Sequence, residues 1–172
     1  MIVTGETHHG ALRWLWLSLL VVVADQLTKA LIVRKFELFE VADVLPVLEI
    51  TRLHNTGAAF SMLAGASGWQ RWFFVALAAL VSGGIVYWLR NLPRHSAAFL
   101  PAALALVMGG ALGNVIDRIW HGHVVDFLHF HWGSAYFPAF NVADACITIG
   151  AGLLILDAIL EGRRSRARGG AP

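Results

Sequence analysis

Long apolar stretches separated by short polar breaks set the pattern of this chain. Four stretches, residues 11–33, 69–89, 97–116 and 142–160, are mostly apolar and about 20 residues long, enough to cross the hydrocarbon core of a bilayer. Backbone groups in lipid must bond within their own segment, so each stretch predicts a membrane helix. Trp14, Trp16, Trp69, Trp72, Tyr87 and Trp88 mark several ends, as interfacial aromatic belts do. Two longer connections remain, residues 34–68 and 118–140. Within the first, Leu48, Ile50 and Leu53 are mixed with polar residues and β-branched side chains cluster, which predicts a short strand.

Composition supports this reading. The chain has 172 residues, 58% hydrophobic and 14% charged, against about 25% charged in a soluble domain. The expected fold class is an all-α integral membrane protein with four transmembrane helices, forming a single membrane domain over residues 1–172. The first apolar stretch is long and has no clear small-residue cleavage site before Asp25 and Gln26, so it is read as a membrane helix rather than a cleaved signal peptide. Cys146 is the single cysteine, which excludes an intramolecular disulfide.

Charge sets the orientation. Arg163, Arg164, Arg166 and Arg168 crowd the tail at 161–172, and Arg90 and Arg94 sit in the turn between the second and third spans. Both therefore face the cytoplasm, with both termini inside. Arg34, Lys35, Arg52 and Arg71 fall on the other side, and the density of the tail decides. A basic tail directly after a span fits anionic lipid headgroups. Nothing here resembles a nucleic-acid module.

Polar groups inside spans are costly and mark functional candidates. Asp25 and Lys29 lie at i, i+4 on one helix face and predict an ion pair that supports packing. Gly109 and Gly113 form a small-xxx-small pair for close helix approach. Asn114 lies about one turn inside the third span and needs partners, with Asp117 and Arg118 as its helical neighbours. Arg118 also fits a simple role as a cation at a helix C-terminus.

Two aspartates carry the candidate chemistry. Asp126 lies among apolar residues and is either an exposed loop carboxylate or a group needing water or a partner. Asp144 is three residues after Asn141. That spacing fits a capped helix start as well as it fits catalysis. His121, His123, His129 and His131 flank Asp126 in two His-x-His pairs, a weakly specific metal pattern. No metal and no cofactor is expected. Cys146 is two residues past Asp144 and so points away from it on a helix.

Together these residues resemble the lipoprotein signal peptidase (signal peptidase II) family. Five motifs follow its order: Asp25-Gln26-Leu27-Thr28-Lys29, Asn55-Thr56-Gly57-Ala58-Ala59-Phe60, the run from Gly109 to Arg118, Val124-Val125-Asp126-Phe127, and Phe140-Asn141-Val142-Ala143-Asp144. The resemblance implies a small extracytoplasmic β-sheet cradle above the four helices and catalytic roles for Asp126 and Asp144. It implies that Asn55, Asn114, Arg118 and Asn141 bind substrate or orient the aspartates. It also implies a diacylglyceryl-modified prolipoprotein as substrate, cut just before the lipidated cysteine, in the bacterial inner membrane. Membrane lipids are the other expected partners, nucleic acid is not, and the chain is expected to act as a monomer. The competing class is a transporter using the same charges as a proton or cation path. It fits less well, because the charges cluster near helix ends rather than at the midplane.

Overall fold

The computed structural model describes residues 10–57, 68–93 and 98–169. A short 3-10 turn, Ala11–Trp14, leads into α1, Leu15–Lys35. Two strands follow, β1 (Val41–Leu45) and β2 (Leu48–Asn55), then α2 (Trp69–Asn91) and α3 (Phe99–His121). Strands β3 (Val124–Trp132) and β4 (Ala135–Tyr136) precede α4, Val142–Gly169. Among the described residues, four helices are long and apolar enough to cross a membrane. The strands form one antiparallel sheet in the order β1-β2-β3-β4.

The central helix is α3, which packs against each of the other three. Its small residues explain why. A side chain on Gly110 would collide with the Ala143 backbone oxygen and lie 2.7 Å from Ile147 Cγ1, both on α4. One on Gly109 would lie 2.7 Å from Val21 Cβ on α1. Glycine at both positions lets the backbones approach closely. The buried Ser18 hydroxyl donates to the Ala105 carbonyl at 2.8 Å, tying α1 to α3.

Two apolar clusters close the ends of the bundle. Ala11, Leu89, Leu104 and Met108 gather at one end. At the other, Ile32, Val125 and Phe127 pack with Ile50 and Val142, joining α1, the sheet and the start of α4. The sheet is therefore fixed to the helices. Strand β2 pairs with β3 so that Leu53 faces Asp126 and His54 faces Val125.

Several boundaries move from their expected places. The third helix does not stop at residue 116. It runs on to His121 and ends at Gly122 in the left-handed region, φ 80°, where glycine is favoured. Arg118 is therefore a helical residue and not the start of a loop. Likewise α4 continues past residue 160 through the basic tail, because arginine is a good helix former once a helix is running. Ala58, Ala59 and Phe60 of the second motif, the N-terminus of the chain and Arg94 lie outside the described residues.

Candidate active site

The site is built outward from Lys29. Its side chain is buried on α1, 3% exposed, and an ammonium has three hydrogens to donate. Three acceptors surround it: Asp25 Oδ2 at 2.8 Å, Asp117 Oδ2 at 3.0 Å and Asn114 Oδ1 at 2.9 Å. The remaining carboxylate oxygens are also used. Asp25 Oδ1 accepts from the Ala143 amide at 2.9 Å, which pins the start of α4 to α1. Asp117 accepts from the Val125 amide at 3.1 Å and from Gln26 Nε2 at 2.9 Å, which ties β3 to α3 and α1.

Lys29 also fixes the Asn114 amide. With the ammonium on its oxygen, Asn114 must turn its Nδ2 the other way, and that group donates to Asp144 Oδ1 at 2.8 Å. The reverse orientation would set an oxygen against a carboxylate and an N–H against an ammonium. Asn141, fully buried, links the two aspartates. Its Nδ2 donates to Asp126 Oδ1 at 2.7 Å and to Asn114 Oδ1 at 3.3 Å, and its Oδ1 accepts from the Asp144 amide at 2.9 Å. In return the Asn141 amide donates to Asp144 Oδ2 at 3.3 Å, a reciprocal cap on the first turn of α4.

Asp126 is not an exposed loop residue. It lies on β3, 3% exposed, because its strand is covered by β2 and the ends of the helices. Its other oxygen accepts from Asn55 Nδ2 at 3.0 Å. Burial pushes its carboxyl up to about 7, and the charge of Asp144 adds to the rise. The Asn55 and Asn141 hydrogen bonds and the Lys29 charge oppose it.

Asp126 and Asp144 line one cavity of about 600 Å³, together with Asn55, Asn114 and Arg118. Phe137, Pro138, Phe140 and Ile147 supply an apolar wall. Arg118 reaches across the rim. It donates to the Gly57 carbonyl at 2.9 Å, and its guanidinium lies 4.8 Å from the centre of the Phe74 ring on α2. The cavity thus offers two carboxylates, amide and guanidinium donors, and an apolar surface beside the bundle.

The sequence candidates fall into place unevenly. Asp126, Asp144, Asn55, Asn114, Arg118 and Asn141 converge, while Asp25 and Lys29 sit behind them as the expected ion pair. The histidines do not join Asp126. Alternation along β3 puts His129 and His131 on the opposite face from it, where they approach Glu49 at 3.4 and 3.7 Å. Among the described residues, no group of three or more His, Cys, Asp or Glu side chains is arranged to hold a metal. Cys146 is partly buried and is not among the cavity residues. Gln26 and Asp117 had no assigned role in the sequence reading. The available signal was stoichiometric, since one lysine beside two intramembrane acids leaves a charge to be shared.

A polytopic membrane bundle that carries two hydrogen-bonded aspartates in a cavity under a small sheet is the frame of a membrane-embedded enzyme. The comparisons give the family. The Peptidase_A8 family, signal peptidase (SPase) II, matches residues 17–160. The lipoprotein signal peptidase of Shewanella woodyi is 52% identical over 150 residues, covering 87% of this chain and 85% of the relative. That of Pseudomonas fluorescens is 55% identical over 150 residues, 86% and 88% of the two chains. A solved bacterial membrane enzyme superposes with a TM-score of 0.79 at 31% identity, covering 91% of this chain and 94% of that one. The chain belongs to the signal peptidase II family, and it is a multi-pass peptidase of the bacterial inner membrane.

Proposed function

We propose that this peptidase removes the signal peptide from diacylglyceryl-modified prolipoproteins, cutting just before the lipidated cysteine, through water activated by Asp126 and Asp144. The observation that carries this reading is the placement of both carboxylates on one cavity, joined through Asn114 and Asn141. The relatives are lipoprotein signal peptidases along nearly their whole length, which supports the substrate class.

Two carboxylates sharing a site hold one proton between them. The raised Asp126 carboxyl is the proton-bearing partner. Asp144 lies in the first turn of α4, where the helix dipole favours an anion. Asp144 therefore takes a proton from the bound water as the water attacks the scissile carbonyl. Asp126 donates a hydrogen bond to the carbonyl oxygen as it becomes an oxyanion. The proton acquired by Asp144 then goes to the leaving amine. Arg118 and Asn55, at the rim, present N–H donors suited to the backbone carbonyls of an extended peptide.

The sheet and cavity face the extracytoplasmic side, and both termini lie in the cytoplasm. The basic residues of the α4 extension support that orientation. The substrate's acyl chains stay in the bilayer beside the apolar wall, so only the peptide around the cysteine enters the cavity. Every group in this mechanism comes from one copy, so the proposed chemistry requires no more than a monomer.

Asp126→Asn and Asp144→Asn are the direct test. Each variant, purified and folded, is expected to lose cleavage of a lipid-modified prolipoprotein by at least about 10²-fold. Normal turnover by either one sinks the dyad.

A further inference from the structure

A second site lies on the α1–α3 face. A cavity of about 360 Å³ opens where α1 meets the sheet. Arg34, Arg52, His54, His121 and His123 line it. Asp117 also lines the cavity and shares Lys29 with Asp25 behind it, so the one acidic charge left over offsets only part of the positive charge of Arg34 and Arg52. His54 and His123 stack with ring centres 3.7 Å apart. Burial and nearby positive charge lower both pKa values, so these rings stay neutral and each retains an N–H to donate. Arg52 is held in place by the carbonyls of Val33 and Phe36 through one nitrogen, at 3.4 and 3.0 Å. Two buried atoms of this wall, Arg52 Nε and His54 Nε2, have no hydrogen-bond partner, an arrangement that costs free energy unless an acceptor fills the cavity.

Further along the same two helices is a shallow apolar groove of about 340 Å³. Leu15, Leu19 and Val22 of α1 face Met108, Leu112 and Val115 of α3 there. The α1 positions 15, 19 and 22 continue as 26, 30 and 33 in the basic cavity, a single stripe at helical spacing. Groove and basic cavity thus lie end to end, apolar within the span and cationic at its edge. Neither shares a lining residue with the cavity of Asp126 and Asp144.

We propose that this face binds one anionic glycerophospholipid, with its phosphate in the Arg34, Arg52 and His54–His123 cavity and an acyl chain along the α1–α3 groove. A phosphate matches the guanidinium and imidazole donors, and the bilayer supplies the chain at the correct depth. A headgroup with net negative charge is favoured over a zwitterionic one, whose ammonium would meet the arginines.

Native mass spectrometry of the detergent-solubilised protein tests this, with dioleoyl phosphatidylglycerol and dioleoyl phosphatidylcholine as probes. The wild type is expected to retain phosphatidylglycerol at least about fivefold better, and Arg34→Gln to weaken that retention about fivefold, the contribution of one cation at a lipid surface. His121→Gln weakens it in the same direction. Leu19→Trp fills the groove and lowers retention of both lipids. Soluble glycerol 1-phosphate is expected not to compete. Equal retention of the two lipids, an unaltered preference in Arg34→Gln, or unaltered retention in Leu19→Trp overturns the proposal. Competition by glycerol 1-phosphate at the phospholipid's own concentration also overturns it, and assigns the cavity to a free phosphate compound. Arg34, His121 and Leu19 lie outside the proposed catalytic machinery, so prolipoprotein cleavage in detergent reports that each variant is folded.

Discussion

Lys29→Met is the substitution that most directly tests how the site is held together. The residue is about the right size, so packing changes little. What disappears is the one cation between Asp25 and Asp117, together with all three of its hydrogen bonds. Removing one partner of a buried ion pair costs about 3–5 kcal/mol, since the other charge is left unpaired. For a chain of this size that corresponds to a fall in Tm on the order of 10 °C. A second effect is local. Asn114 loses the ammonium on its oxygen and keeps there only the longer 3.3 Å bond from Asn141, so rotation of its amide is less strongly opposed and the Nδ2 donor to Asp144 is less firmly enforced. Turnover should therefore fall by more than the loss of folded protein explains. The assay pairs thermal unfolding in detergent with cleavage of a lipidated prolipoprotein peptide at a temperature where the variant is fully folded. Adding Asp117→Asn removes one of the stranded charges and should recover part of the lost Tm, but not the lost turnover. A Lys29→Met protein with unchanged Tm, or with full activity per folded molecule, refutes the argument.

Four further predictions use the same structure. Asp126 has a folded pKa of about 7 against an ordinary 3.8. Its proton therefore stabilises the fold fully below about pH 4, and the contribution is lost as pH rises through about 7, on the order of 4 kcal/mol in all. Asp126→Asn, always neutral, should thus be at least as stable as wild type at pH 8 while remaining inactive, and a variant less stable at pH 8 contradicts the raised pKa. Asn55→Ala removes a donor that favours the charged Asp126, so the alkaline limb of the pH–rate profile should move upward, whereas a limb that stays put leaves Asn55 no part in tuning the pair. Gly110→Ala sets a methyl against the Ala143 backbone and Ile147. It should cost about 1–3 kcal/mol of stability as α3 and α4 separate, with a matching loss in kcat measured by steady-state cleavage. Chelation should leave turnover unchanged. Loss with EDTA and recovery with zinc would transfer the chemistry to the histidines.

The membrane helices were legible because the bilayer imposes their length and backbone bonding leaves no alternative. Their ends were less legible. Asp117 and Arg118 look like the polar border of a span, but Asp117 is neutralised by Lys29 and Arg118 reaches the Gly57 carbonyl and the Phe74 ring. The helix can therefore carry both and continue one more turn. In the sheet, β2 showed in its β-branched residues, whereas β3 did not. Its acid and two histidines break the apolar pattern, and its stability comes from pairing with β2 about 75 residues earlier in the chain. The convergence of the site residues was visible only through the ordered motifs. Physical reading of the sequence could place Asp126 and Asp144 on one side of the membrane. It could not foresee hydrogen bonds such as Lys29 to Asn114 or Asn55 to Asp126, which span 85 and 71 residues.

The two aspartates are held by different parts of the fold, and this division matters for the chemistry. Asp144 is set by the helices. Its carboxylate caps its own helix through Asn141 and is oriented by Asn114, which Lys29 orients in turn. Asp126 is set by the sheet, with Asn55 from β2 on one oxygen. Asn141 is the residue common to both, since it caps α4 and donates to Asp126 at the same time. A helix cap and a catalytic carboxylate are therefore not competing explanations for Asp144. The cap uses Oδ2 and leaves Oδ1 to Asn114, so the side chain is fixed in one rotamer before any substrate arrives. The arrangement costs no reorganisation when charge develops on the substrate. It also means that any shift of Asp126 relative to Asp144 strains the buried amide of Asn141, along with the Phe140 backbone bonds to β3 and the Asp117 bond to Val125, and a substitution at Asn141 should separate binding from turnover most sharply.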